Sequence, residues 1–459
     1  MRRKGFLFAA GLAAALFTLG ATETNAEACG GCFNPPENPT VVTDHRMILS
    51  ISKEQSTLYD QIRYQGNPAS FGWVLPISGE VTVGLSADVV FSGLDQMTQT
   101  QLNPPPANCP APPSNCRGGL AAPTAGDDAE GGVNVIKREV VGPYETVQLQ
   151  ATDEGALKKW LADNGFTVPT DVAPVIDTYV AEKFNFLALK LIPGKDVQDM
   201  RPVRVTTKGA NVALPLRMVA AGTGPQVGIS LWIVADGRYE PQNFPSFTIA
   251  TDEIVWDWAQ QKSNYTELRA QKTAAGGGRT WEVESSTILY RQQLESIVQQ
   301  GTYNGRGPAP QNDEERAAVD YLPVTDAQGT TTKTATQVRD EDMSTLFYGI
   351  ATSTSRVTRL RADLAHAALD QDLVMRASPD QAVLSNIRQI TKEQGQPLCP
   401  VFSGCDQTGT APRDQVGGST GGGTFTCATS SRSGNAWMGI GLGFAAVAAA
   451  HAIRRRKAR

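Results

Sequence analysis

Cys29 and Cys32 stand at C-x-x-C spacing in E-A-C-G-G-C-F-N-P-P, the first stretch whose side chains suggest chemistry. A redox C-x-x-C works where a strand meets a helix, because the helix N-terminus lowers the pKa of the leading thiol. Here Asn34-Pro35-Pro36 follows, which opposes a helix running on from the motif, and no βαβ pattern precedes it. A structural zinc site needs four ligands, so Cys109/Cys116 or Cys399/Cys405 would have to complete one. The simplest arithmetic for seven cysteines is three local disulfides, Cys29/Cys32, Cys109/Cys116 and Cys399/Cys405, with Cys427 left over. Spacing alone leaves the connectivity open.

The other reactive types are scarce or scattered. His45 and His366 are the histidines outside the apolar C-terminal run. Asp44 precedes His45, but strand neighbours point to opposite faces, so the two do not form a dyad. There is no G-x-S-x-G elbow and no H-E-x-x-H. Asp313-Glu314-Glu315, Asp340-Glu341-Asp342 and Asp370-x-Asp372 offer oxygens to calcium. None follows the D-x-D-x-D-G-x5-E loop pattern, so they read as solvated loops. Gly276-Gly277-Gly278-Arg279 is not continued by G-K-[ST], which excludes a phosphate loop. Trp73, Trp160, Trp232 and Trp281 fit core packing, whereas Trp256 and Trp258 share one strand face. If exposed, that pair would give a platform for a glycan or peptide. The residues therefore name no catalytic, cofactor-binding or metal-binding group, and the reading leans away from an enzyme. The alternative is a hydrolase whose acid and base are carboxylates dispersed along the chain.

The elements that position these residues are mostly strands. Met47, Leu49 and Ile51 alternate along Thr40–Ser52, and Leu58, Ile62 and Tyr64 along Thr57–Tyr64, which predicts a hairpin. Phe71–Ile77 follows as a third strand of a meander. Residues 103–132, P-P-P-A-N-C-P-A-P-P-S-N-C and then G-D-D-A-E-G-G, cannot bury an apolar face and read as a mobile loop. Leu157, Trp160 and Leu161 predict a helix after Asp153; Val172, Val175, Ile176, Tyr179 and Val180 predict another. Further strands are expected at Phe184–Ile192, Val203–Val205, Leu214–Val219, Gly228–Val234, Phe247–Trp256 and Val357–Leu364. Helices are expected at Ser286–Gln300 and Met343–Ile350, with 308–336 loop-rich. The fold class is α+β: predominantly antiparallel sheet with interposed helices, plus one C-terminal transmembrane helix.

The two ends carry the address. Arg2-Arg3-Lys4, an apolar run and Ala26-Glu27-Ala28 read as a signal peptide over 1–28. An exported domain is expected over 29–406, then a flexible Gly/Ser/Thr stalk over 407–435. An apolar transmembrane helix over 436–453 and a basic cytoplasmic tail over 454–459 complete the chain. The formal charge is −5, and both ends are basic, so the part between them is more acidic still. That balance excludes nucleic acid as a partner. It points instead to an envelope protein or glycan, and to the membrane only through the C-terminal helix.

Several segments resemble the bacterial domain-of-unknown-function 2330 family. They are Ala28-Cys29-Gly30-Gly31, the block Gln61–Ile77, Lys158–Pro169, Phe184–Leu191, Arg356–Leu364 and Leu369–Met375. The resemblance spans most of 28–375 and implies an exported, tethered arrangement. It implies no catalytic residues, because that family has no established activity. The loop 103–132 looks like an insertion. The tail is also similar to tripartite bacterial sorting signals, one version of which has a cysteine before its helix; this makes Cys427 the candidate for processing or lipidation. Together these readings predict a membrane-tethered envelope protein with a non-catalytic binding or scaffolding domain.

Overall fold

The computed structural model describes residues 32–33, 41–65, 72–110, 139–149, 154–163, 168, 172–192, 195, 199–220, 225–325, 330–403 and 406–416. The expected leader, stalk beyond 416, transmembrane helix and basic tail lie outside them, as do Cys29, Cys116, Cys405 and Cys427. Among the described residues, no helix is long and apolar enough to cross a membrane.

The predicted hairpin forms from Val41–Ile51 and Gln55–Gln65. It is the middle of an eight-stranded sheet. In spatial order the strands are Ser246–Phe247, Trp281–Ile288, Ser355–Ala365, Gln226–Asp236, the two hairpin strands, Val203–Lys208 and Thr82–Leu85. Pairing is antiparallel except between 226–236 and 41–51 and between 246–247 and 281–288, which run parallel. A second, fully antiparallel sheet orders Cys32–Phe33, Gly72–Ile77, Asn185–Leu191, Tyr144–Leu149 and Glu139–Val141.

Strand alternation sorts the residues into layers. On one face of the large sheet, Met47, Leu49, Leu231, Ile233 and Leu360 meet Trp73, Leu75, Leu187 and Leu189 of the second sheet. The opposite face puts Ile48, Tyr59, Trp232 and Val234 against helices Asp88–Thr98, Arg291–Gln300, Asp313–Asp320 and Ala335–Leu346. The outer face of the second sheet, through Val74, Phe186 and Ala188, takes helices Glu154–Asp163 and Ala173–Ala181. The chain is thus layered helix, sheet, sheet, helix. Each fully buried Leu or Ile in these layers contributes roughly 1.5–3 kcal/mol; a charge at Leu231, which is fully buried, would break the inter-sheet layer.

Several expectations are corrected. Gly72–Ile77 does not extend a meander; its all-buried pattern suits the second sheet, where it pairs with 185–191. The expected strand 214–219 stops at Pro215 and becomes the single helical turn Leu216–Val219. Phe247–Trp256 breaks into two short strands around the 3-10 turn Thr251–Glu253. Residues 286–288 complete a strand, so the helix there starts at Arg291. The loop-rich 308–336 holds the helix 313–320, capped by Asn312, whose side chain accepts from the Glu315 amide. The helix expected at 343–350 instead runs 335–346. Residues 407–416, placed in the stalk by composition, continue the fold: Asp406–Pro412 pairs with Leu398–Ser403, and Arg413–Val416 adds a helical turn.

Candidate functional site

Three cavities lie along the seam where the second sheet and its helices meet the large sheet, and segment 211–220 contributes to the wall of each. Pro215 opens the turn 216–219. Leu216 and Val219 plug the inter-sheet core, while Met218 plugs the outer helix layer. The first cavity, about 100 Å³, is lined by Ser56, Leu58, Leu75, Asn211, Pro215 and Asp372. The second, about 20 Å³, shares Leu58, Leu75 and Pro215 with it and adds Asp60, Met47 and Trp73. The third, about 200 Å³, lies between Val172, Val175, Ala220, His366, Leu369 and Asp370.

The polar centre of the seam is a closed clamp. Arg217 donates two hydrogen bonds to Glu182, at 2.8 and 2.6 Å, and one to Asp372 Oδ2 at 2.7 Å. Its guanidinium lies 4.3 Å from the Tyr179 ring centroid. The Tyr179 hydroxyl and the Arg217 amide both donate to Asp372 Oδ1, at 2.5 and 3.1 Å. Burial, and then the Asp372 charge, push the Tyr179 phenol far above its usual range, so it stays a donor. Hydrogen bonds from Arg217 hold Glu182 below the usual carboxylate range. Every charge here has a partner, which suits holding helix 173–181 to the seam rather than moving protons.

His45 is fully buried in the inter-sheet core. Its Nδ1 lies 3.8 Å from Asp60 Oδ1. The register sets Met47 opposite Asp60 and His45 opposite Ile62, so His45 and Asp60 are diagonal neighbours on one face. Sequence reasoning considered Asp44 and missed Asp60, because cross-strand register is not visible in the chain. His366 lies apart, exposed at the third cavity, with Nε2 3.3 Å from the Ala220 carbonyl.

The structure redistributes the remaining candidates. Cys109 is bonded to Cys399, with Cα atoms 5.3 Å apart and a sequence separation of 290. This corrects the local pairs Cys109/Cys116 and Cys399/Cys405: strand Gln101–Asn103 pairs with Ile387–Gln389 and carries the proline arm to the C-terminal hairpin. Cys32 sits in a two-residue strand opposite Trp73. Trp256 and Trp258 meet edge to face, centroids 6.1 Å apart and planes at 76°, so they present a corner rather than one plane. The Trp258 indole donates to Glu393 at 2.7 Å, and Glu393 also accepts from Arg413 at 2.5 Å.

Each acidic cluster is taken up by the fold. Asp313 and Asp340 accept from Arg339. Glu314 accepts from the amides of Ala335 and Thr336, the open end of a helix. Glu341 pairs with Arg204 and Lys333, and Asp342 is buried. Asp370 pairs with Arg279, Asp372 with Arg217. Among the described residues no three His, Cys, Asp or Glu side chains converge as a metal site. Buried carboxylates do converge at Glu282 and Glu284, two residues apart on strand 281–288, but Arg269 bonds both, at 2.5 and 2.7 Å, and Arg359 takes Glu284.

A family model described as an uncharacterized protein conserved in bacteria, DUF2330, matches residues 23–322, about two thirds of the chain. No curated protein and no solved structure matches it.

Proposed function

The chain belongs to the DUF2330 family of uncharacterised bacterial proteins, and from that premise we propose that it is an exported, membrane-tethered envelope protein whose domain binds or scaffolds rather than catalyses. The bond between Cys109 and Cys399 carries the reading. Such crosslinks persist in oxidising compartments and are rare where thiols are kept reduced. The apolar runs near both ends supply the leader and the anchor. Binding is favoured over hydrolysis because the carboxylates that approach one another, Glu282 and Glu284, are buried and held by Arg269 and Arg359. A general acid needs a substrate within reach; Glu282 and Glu284 are buried away from one. The partner is an envelope protein or glycan, met by an acidic domain on a tether.

The test is a non-reducing peptide map of protein taken from cell membranes, combined with protease treatment of intact spheroplasts. The expected result is a linked peptide pair containing Cys109 and Cys399 and digestion of the domain from outside. Free thiols at both positions, or full protection until lysis, would overturn export.

A further inference from the structure

Of the four buried carboxylates among the described residues, three are met by donors. Glu282 accepts from Tyr265 and Arg269, Glu284 from Arg269 and Arg359, and Asp342 from Ser86 and Tyr321. Asp60 differs. It is 6% exposed. Oδ1 of Asp60 and of Asp342 both lack a hydrogen-bond partner, but Asp342 has two donors on Oδ2 and Arg204 at 3.6 Å, and among the described residues Asp60 has no such donor or cation. The imidazole of His45 lies nearby, with Nδ1 at 3.8 Å, beyond hydrogen-bond range. The cavity it lines is otherwise walled by apolar groups, among them Leu58, Trp73, Leu75, Leu216 and Met218. A carboxylate in such walls is costly unless a donor reaches it, and a cationic donor compensates best.

The shape of the space narrows the donor. At about 20 Å³ the slot over Asp60 admits one water-sized or ammonium-sized group. It adjoins the first cavity, about 100 Å³, across Leu58, Leu75 and Pro215. A space of about 100 Å³ joined to a slot of about 20 Å³ suits a short unbranched chain. Ser56, Thr207 and Asn211 add polar groups to the wall of the larger cavity.

We propose that this slot binds a primary alkylammonium group, its cation on Asp60 and its methylene chain along Leu58, Leu75 and Pro215. The chemistry is that of a free small amine or of a lysine side chain. The proposal rests on the reading of the domain as a binder and names its ligand class. Asp60 selects for positive charge, since Asp372 at the wall of the larger cavity is already paired with Arg217, and the apolar walls select for chain length.

Titration calorimetry on the full chain tests it, with n-pentylammonium, 1-pentanol and an Nα-acetyl-lysine amide as probes. The expected result is saturable binding of pentylammonium, none of pentanol, and a weakening of about tenfold or more in Asp60→Asn, the ratio given by one charge-assisted hydrogen bond. Binding of the lysine amide as well assigns the ligand to a partner's side chain; binding confined to pentylammonium assigns it to a free amine, and both uphold the proposal. If Asp60→Asn does not fold, the contrast between pentylammonium and pentanol in the unaltered protein decides. No saturable binding, equal binding of the alcohol, or equal affinity in a folded Asp60→Asn overturns the proposal and leaves the slot to buried water only. Such a failure with the Cys109–Cys399 link intact removes this ligand class alone, not the export reading.

Discussion

Asp342 is the residue whose surroundings most plainly set a titration. It is fully buried, accepts from Ser86 at 2.7 Å and from Tyr321 at 3.2 Å, and lies 3.6 Å from Arg204. Burial raises its pKa and Arg204 opposes the rise, leaving it at about 6. The unfolded value is about 3.9. Between those values the folded state binds more protons than the unfolded one, so this group's contribution to stability falls as pH rises through the window. The penalty is complete above pH 6, absent below about pH 4, and amounts to about 3 kcal/mol for two pKa units. Carboxylates such as Glu314 run the other way: burial opposes, but hydrogen bonds from Thr336 and its amide prevail and hold it at about 2. The stability difference between wild type and Asp342→Asn isolates the one group. Urea unfolding from pH 4 to 7.5 is expected to show that difference shifting in the variant's favour as pH rises, by up to about 3 kcal/mol. A pH-independent difference would mean that Asp342 is ionised throughout. None of this was legible in Asp340-Glu341-Asp342, which read as a solvated run. A chain segment does not show that its third carboxylate turns inward toward Ser86 and Tyr321, more than 250 and about 20 residues away.

Helix 335–346 carries that carboxylate, and its N-terminus is built from side chains. The Gln337 amide donates to Thr334 Oγ1 at 3.3 Å, the Thr334 amide donates to Gln337 Oε1 at 2.9 Å, and Glu314 takes the amides of Ala335 and Thr336. This capping box satisfies donors that no helical carbonyl can reach. Thr334→Ala is expected to cost about 1 kcal/mol in denaturant melts, with Glu314→Gln adding to it because the helix end loses a negative charge. No change in the first variant would mean that Glu314 alone caps the helix. The T-A-T-Q motif at 334–337 was present in the sequence, yet the helix was read eight residues late. Its core positions, Val338, Met343 and Leu346, are interrupted by buried Arg339 and Asp342, which hides the period. Strands fared better, because alternation along 41–51 and 55–65 is local. The parallel pairing of 226–236 with 41–51 joins segments far apart in the chain and leaves no local sign. The helix 88–98, with Val89, Val90, Phe91 and Leu94 buried, has no counterpart among the expected elements.

At the scale of the whole molecule, the Cys109–Cys399 bond ties the arm that follows strand 101–103 to the C-terminal hairpin. Closing a loop of 290 residues restricts the unfolded chain by about 5–6 kcal/mol on the loop-entropy scale. That figure is felt by the core only if the linked parts unfold with it. The C-terminal hairpin does not look so integrated. Strand 406–412 is largely exposed, and in strand 398–403 Cys399 is the buried residue. Beyond the disulfide, the hairpin is held by Arg413 on Glu393 and on the Ala107 carbonyl, and by the amides of Arg413 and Asp414 on Pro397 and Gln396. A unit with few buried apolar groups opens separately from its core. In the Cys109→Ala/Cys399→Ala variant, trypsin is expected to cut at Arg413 and Lys392 at least about tenfold faster, while a fragment holding both large sheets persists. Tryptophan emission should shift with that opening, since Glu393 links Arg413 to the Trp258 indole. The core's own unfolding free energy should fall by less than about 2 kcal/mol, well short of the loop-entropy value. A drop of the full 5–6 kcal/mol with no early cleavage would instead make the hairpin part of the cooperative core. The link would then fasten the whole sandwich, not just its last strands.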